Sequence, residues 1–320
     1  MSRLGWLAAA GLAGGAVANL VVILHASAMT TFVDAGERTP PPEELRGVDK
    51  LRVLLTGVRV PRPMPTRSPA DLGLTAEQHT LPGDPHLTLW HIPAADPPGR
   101  RGVVLLAHGY AAARDQLLET AAALHARGWS VVAMDQRGSG DSGGNTTTMG
   151  YLEAEDIAAV AAWTAQTLKE PEPVLYGFSM GAASSLRAVG VLGVPARALV
   201  IEACFDDMVV TARRRFQTMG LPGSPGAELL VFWGGVLGGF SGLRHAPARY
   251  ASGVAVPTLI VQGNQDPRVH VEDARVIADA LGDRGRLLVV EGLGHQQLAE
   301  GQPDTWRTEV GGFLDAAAPR

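Results

Sequence analysis

Six short apolar runs, separated by segments patterned for helix, constrain the fold of this chain more than any other feature. The runs are Val103–Ala107, Ser130–Met134, Val174–Tyr176, Ala198–Glu202, Thr258–Val261 and Arg286–Val290. Segments with helical periodicity alternate with them: Asp115–Arg127, Leu152–Leu168, Met180–Val191, Val271–Leu281 and Thr305–Ala316. A strand apolar along its whole length must be covered on both faces, and a helix between successive strands returns the chain so that they run parallel. The pattern predicts an α/β fold with a mostly parallel central sheet and helices on both faces. Ahead of it, Glu77–Leu81 and Leu87–Ile92 flank the turn Pro82-Gly83-Asp84-Pro85 and read as an antiparallel pair.

With 320 residues, 46% of them hydrophobic, the chain can bury a sizeable core, and an α/β core can use most of that length as one domain. Its 27 basic residues are outnumbered by 32 acidic ones, so it lacks the basic footprint that phosphate backbones require. A small-molecule partner is expected rather than nucleic acid. The single cysteine, Cys204, excludes an intrachain disulfide and any all-cysteine metal cluster, and reads as a small core residue.

The stretch Leu4–Leu24 carries no charged side chain, and Asn19 is its only strongly polar residue. As a helix rising roughly 1.5 Å per residue it would reach about 30 Å, the thickness of a bilayer core. Residues 1–28 are therefore expected to form a transmembrane anchor. Alternatives are a cleaved signal peptide, for which Ala26-Ser27-Ala28 offers a cleavage site, and a buried N-terminal helix. Arg3 precedes the stretch, and Arg38 is the first Lys or Arg after it, a bias that favours a catalytic domain outside the cytoplasm. The expected location is thus a single-pass membrane protein, or a secreted one after cleavage. Residues 29–69, with TPPPEEL and PRPMP, read as a proline-rich stalk holding at most one short helix near Pro42–Leu55. Residues 70–320 form the expected main domain. Its insertion at 205–252, rich in Gly, Phe and Trp, is expected to be a lid, with a buried helical excursion as the alternative. Arg213-Arg214-Arg215 within it would meet an anionic substrate or a solvated surface.

Gly177-Phe178-Ser179-Met180-Gly181 lies directly between an expected strand and an expected helix. Such a G-x-S-x-G turn exposes its serine in a strained conformation, so Ser179 is the candidate nucleophile. A serine that attacks an acyl carbon needs a base and a carboxylate to orient that base. Asp266 follows the strand ending at Val261, and His295 follows the strand ending at Val290. All three fall beyond the C-terminal ends of strands, where open α/β sheets place their sites. The N–H of Met180 would stabilise an oxyanion, with that of Tyr110, in His108-Gly109-Tyr110, as the second donor. His108 is the alternative base, although a histidine at such a strand end more often braces a loop.

Other motifs carry less. Gly140-Asp141-Ser142-Gly143-Gly144 repeats the serine pattern, but alternating strands and helices surround it, and Ser142 reads as a turn residue. The same stretch satisfies G-x-G-x-x-G without opening a helix, so no dinucleotide is expected there. His86 and His91 have opposite parity near one strand and would face opposite sides of the sheet, so no metal site is expected. Glu202 could bind a substrate amine, but a strand-end carboxylate satisfied by local N–H groups is the plainer reading.

Between about Ala70 and Phe313 the chain resembles the α/β-hydrolase superfamily. Leu106-Ala107-His108-Gly109-Tyr110 is similar to its oxyanion loop, Asp135-Gln136-Arg137-Gly138-Ser139-Gly140-Asp141-Ser142 to its D-x-R-G-x-G-x-S loop, and Gly177–Gly181 to its nucleophile elbow. Ala70–Leu74, Met149–Glu153 and the extended N-terminus resemble membrane-anchored bacterial esterase-like and serine-aminopeptidase-like members. The resemblance implies hydrolysis of an ester or related acyl bond by a Ser179–His295–Asp266 triad through an acyl-enzyme, without a cofactor. An apolar acyl substrate is expected. The alternatives are a serine aminopeptidase-like activity and a non-catalytic, membrane-tethered binding module.

Overall fold

The computed structural model describes residues 3–41, 43–95 and 101–318, with the side chains at 3–5 and 7–13 outside the description. The chain divides into two compact units, Met1–Pro61 with Met208–His245, and Arg62–Asp207 with Ala246–Arg320. The strands are β1 (Glu77–Leu81), β2 (Leu87–Ile92), β3 (Val103–Ala107), β4 (Ser130–Met134), β5 (Val174–Phe178), β6 (Leu199–Glu202), β7 (Thr258–Gly263) and β8 (Gly285–Val290). The helices are α1 (Arg3–Thr30), α2 (Val48–Thr56), α3 (Leu118–His125), α4 (Glu153–Thr167), α5 (Met180–Gly190), α6 (Met208–Thr218), α7 (Gly226–Gly238), α8 (Pro247–Ala251), α9 (Val271–Leu281), α10 (Leu298–Gly301), α11 (Pro303–Thr305) and α12 (Gly311–Ala317).

In the larger unit all eight strands form one sheet in the order β1-β2-β4-β3-β5-β6-β7-β8. The six expected parallel strands are parallel, and the expected hairpin adds an antiparallel β1 and β2 at one edge. Every residue of β3 to β7 is buried, which is why these strands read as unbroken apolar runs. The polar β1, Glu-Gln-His-Thr-Leu, occupies an edge where only Leu81 is buried. β5 runs two residues beyond its expected end, so Ser179 follows it without a connecting loop.

Two helices depart from expectation. The segment read as one helix from Asp115 begins as a 3₁₀ turn, Arg114–Leu117, and becomes α-helical only at Leu118. Arg114 fixes that turn: its N–H donates to Asp135 Oδ1 at 2.8 Å, and its buried guanidinium pairs with Asp135 and reaches Asp141 Oδ2 at 2.7 Å. The C-terminal helix passes through a π-helical turn, Trp306–Val310, whose buried indole donates to Tyr176 Oη at 2.9 Å. After Pro61 the chain lies on the larger unit, where the Arg62 guanidinium caps the carbonyls of Gly140 (2.9 Å), Ser142 and Gly144.

The smaller unit consists of α1, α2, α6 and α7 around a small core of Ala212, Ala227 and Val231. Asn19, the polar exception in the N-terminal stretch, accepts the indole N–H of Trp233 at 2.9 Å. Arg213 pairs with Glu228 and Arg215 with Glu43, both carboxylates of the same unit. The stretch expected to cross a membrane, Leu4–Leu24, lies within α1. Among the described residues, however, no helix is long and apolar enough to do so, and most side chains in the first half of that stretch lie outside the description.

Candidate active site

Ser179 follows β5 with φ 52° and ψ −112°, a left-handed conformation that a non-glycine residue adopts only when its surroundings enforce it. The enforcement is visible on both sides. Its N–H donates to Glu202 O at 2.8 Å, and its carbonyl accepts the N–H groups of Ala182 (3.0 Å) and Ala183 (3.2 Å) at the start of α5. Two glycines allow the approach: a Cβ on Gly177 would lie 2.3 Å from Gly181 O, and one on Gly181 would lie 2.1 Å from Ala107 O. The serine is thus held at the C-terminal edge of the parallel strands, at the N-terminus of a helix.

Asp266 and His295 reach the same edge from the loops after β7 and β8 and are paired, His295 Nδ1 to Asp266 Oδ2 at 2.7 Å. The other carboxylate oxygen accepts the N–H groups of Arg268 (2.8 Å) and Val269 (3.0 Å). Burial pushes the Asp266 carboxyl up, but the hydrogen bond and charge of His295, joined by those two N–H groups, outweigh burial and hold it below its ordinary value. Asp266 is therefore an ionised acceptor that fixes the imidazole with its proton on Nδ1 and leaves Nε2 as the basic nitrogen. The His295 ring lies 5.2 Å, centroid to centroid, from the ring of Phe178, the residue before Ser179.

The His108–Tyr110 loop also reaches the serine turn. A Cβ on Gly109 would sit 3.5 Å from Ser179 Cβ, so the backbone leading to Tyr110 lies against the serine, while Met180 opens α5. Gln116, for which the sequence carries no signal, holds this loop by accepting the Gly109 N–H at 2.7 Å. Its own carbonyl accepts from Gln297, which ties the loop to the segment just after His295. Beside His295 a cavity of about 320 Å³ is bounded by Phe178, Arg67, Asp115, Glu119 and Glu300.

The remaining candidates are absorbed by structure. His108 is buried, accepts the Gln136 N–H on Nε2 at 3.0 Å and faces its own loop at Gly109 O through Nδ1. Burial lowers its pKa despite the nearby Asp135. It is a neutral brace. Ser142 Oγ donates to Asp135 O at 2.7 Å and accepts the Thr88 N–H at 2.8 Å, the two bonds of a buried turn residue. Glu202 is buried, accepts the Tyr176 hydroxyl and the Leu298 N–H (3.2 Å), and is pushed by burial up to about 7. Cys204 is buried, with its thiol pKa raised by burial.

Known proteins match this arrangement in sequence and in shape. The family model for serine aminopeptidases matches residues 98–208, and that for TAP-like proteins matches residues 241–318. An uncharacterised protein of Mycobacterium tuberculosis is 31% identical over 211 residues, 64% of this chain and 66% of that protein. A monoacylglycerol lipase of Mycolicibacterium smegmatis is 26% identical over 247 residues, 65% of this chain and 85% of the lipase. The chain spans just under two thirds of the first curated relatives it matches, 63% of one from Bacillus subtilis and 66% of the mycobacterial protein. Among solved structures, the esterase Pf2001 of Pyrococcus furiosus superposes with a TM-score of 0.65 at 25% identity, covering 80% of this chain and 96% of the esterase. The sheet order, the strained serine turn and these matches together show that the chain belongs to the α/β-hydrolase superfamily.

Proposed function

We infer that this protein is a serine hydrolase that cleaves a carboxylic ester or related acyl bond through an acyl-enzyme. The observation that carries this is the strained Ser179 on the strand-end edge that also holds the Asp266–His295 pair at 2.7 Å. Ser179 Oγ attacks the acyl carbon while His295 Nε2 takes its proton, and Asp266 stabilises the imidazolium. The N–H groups of Tyr110 and Met180 receive the developing oxyanion. His295 then protonates the leaving alcohol, deprotonates a water molecule that attacks the acyl-enzyme, and returns the proton to Ser179. The lipase and esterase names of the relatives support an acyl substrate.

One observation favours a peptidase as the second reading. The cavity beside His295 carries the carboxylates of Asp115, Glu119 and Glu300, which suit a cationic amine better than an apolar chain. Arg67 pairs with Glu119 at 2.7 Å, and Asp115 accepts the Thr66 N–H at 2.7 Å, so part of that charge is already met. Glu202, the sequence candidate for amine binding, is enclosed with Tyr176 and Leu298 and takes no part.

Membrane attachment through the N-terminal segment, with the larger unit outside the cytoplasm, completes the proposal. It rests on the uncharged stretch Leu4–Leu24 and the leading Arg3. Protease shaving of intact cells should digest the larger unit; protection alongside digestion of a known outer-face protein would oppose that orientation.

A fluorescent fluorophosphonate tests the chemistry. Labelling at Ser179, absent from Ser179→Ala, is expected, with p-nitrophenyl esters hydrolysed faster than amino-acid p-nitroanilides. The reverse preference would favour the peptidase, and a folded protein that resists labelling would point to a binding module.

A further inference from the structure

At the sheet edge away from β8, the hairpin assembles three side chains that the hydrolase chemistry leaves unused. Glu77 is paired with His91 across β1 and β2, and His79 lies two residues from Glu77 on β1. Residues i and i+2 of a strand share a face, as do directly opposed residues of paired strands, so all three side chains project to the same side. One potential ligand atom from each lies within 4.8 Å of the others. Trp163 of α4 stands over them, its ring centroid 5.0 Å from that of His79 and 6.4 Å from that of His91.

The hydrogen bonding suits ligation. His79 Nε2 is shielded from solvent, has no hydrogen-bond partner and lies 3.4 Å from Glu77 Oε2. In the tautomer that carries its proton on Nε2, His91 donates to Ser130 Oγ at 2.9 Å and Nδ1 is the nitrogen with a lone pair for a metal. A histidine whose second nitrogen donates to a fixed acceptor is the usual form of a metal ligand.

We propose that Glu77, His79 and His91 form a binding site for a divalent transition-metal ion of the zinc, nickel and copper group. Two imidazoles and one carboxylate match the donor preference of these ions, whereas calcium and magnesium favour all-oxygen shells. Tetrahedral ligands about 2.1 Å from zinc lie about 3.4 Å apart, so side-chain rotation of about 1 Å closes the site. The exposed position of Glu77 leaves room for water as the fourth ligand. The metal would fasten the edge strand β1 to β2 without entering the candidate active site.

The test uses the full chain, stripped with a chelator and titrated calorimetrically with zinc chloride, then with copper(II) while tryptophan fluorescence is recorded. One zinc per chain is expected, with a Kd of about 10 µM or tighter and a raised Tm. Copper should quench emission that is missing from Trp163→Phe. Zinc affinity should fall at least about tenfold in His79→Gln and in His91→Gln, and should also fall in Glu77→Gln and Ser130→Ala, which keep both imidazoles. Circular dichroism checks that each variant folds, and the exposed Glu77 provides a substitution that does not disturb the core. No zinc binding by wild type at about 100 µM, undiminished affinity in Glu77→Gln and folded His79→Gln/His91→Gln, or equal binding of magnesium would overturn the proposal.

Discussion

The carbonyl oxygen of Glu202 accepts the N–H of Ser179 at 2.8 Å, while its carboxylate accepts the N–H of Leu298, three residues beyond His295, at 3.2 Å. One residue at the end of β6 therefore braces both the proposed nucleophile and the segment carrying the proposed base. Burial raises this carboxyl to about 7, against the lowering effect of its Tyr176 and Leu298 hydrogen bonds. A carboxyl raised above its unfolded value contributes stability that is full below the unfolded pKa and lost as pH climbs through the folded one. Wild type should accordingly lose stability between about pH 4.5 and 7, by at most about 3 kcal/mol from this group. Glu202→Gln should remove that part of the slope. Urea midpoints across the window check it; parallel curves for the two proteins would show that Glu202 does not titrate there.

Ser179→Gly should abolish ester hydrolysis and raise thermal stability. The left-handed backbone strains serine by about 1–3 kcal/mol, and glycine relieves this while losing about 0.5–1 kcal/mol to its greater chain entropy. A net gain of about 1 kcal/mol is expected in differential scanning fluorimetry.

Asp266→Asn should retain the fold and lower kcat by about two to four orders of magnitude, since the amide no longer stabilises the imidazolium. The folded pKa of Asp266 is depressed, so its stabilising effect is present above the unfolded value of about 3.9 and disappears as pH falls through the lower folded one. Acid titration followed by circular dichroism should therefore show a shallower loss of stability in the variant below about pH 4.

Two alanine substitutions should separate tight from loose glycines. On Gly181 a Cβ meets the β3 backbone at Ala107 O, 2.1 Å away, whereas Gly312 has nothing within 4 Å. Gly181→Ala should destabilise by about 3 kcal/mol or fail to accumulate in soluble form. Gly312→Ala, in α12, should stabilise by up to about 1 kcal/mol. Denaturant melts of the two proteins decide it.

What the sequence revealed and what it concealed follow from the range of the interactions. The parallel strands were legible because burial on both faces leaves unbroken apolar runs, and Ser179 because its strained turn needs glycine two residues away on either side. Asp266 and His295 followed from strand ends. The short start of α3 was hidden, because Arg114 is held by Asp135, a residue distant in the chain. Gln116 and the grip of Glu202 on Leu298 were hidden for the same reason. The Glu77–His79–His91 cluster was within reach: pairing Leu81 with Leu87 across the turn already sets Glu77 opposite His91. The parity of His86 and His91 bears only on those two residues and is silent on β1, which supplies the other two members.

His108, adjoining the candidate oxyanion loop, accepts a backbone N–H on one ring nitrogen and is held uncharged by burial. Placing a proton on that nitrogen would break the Gln136 N–H bond, so the loop keeps its position against Ser179 only while this imidazole stays neutral.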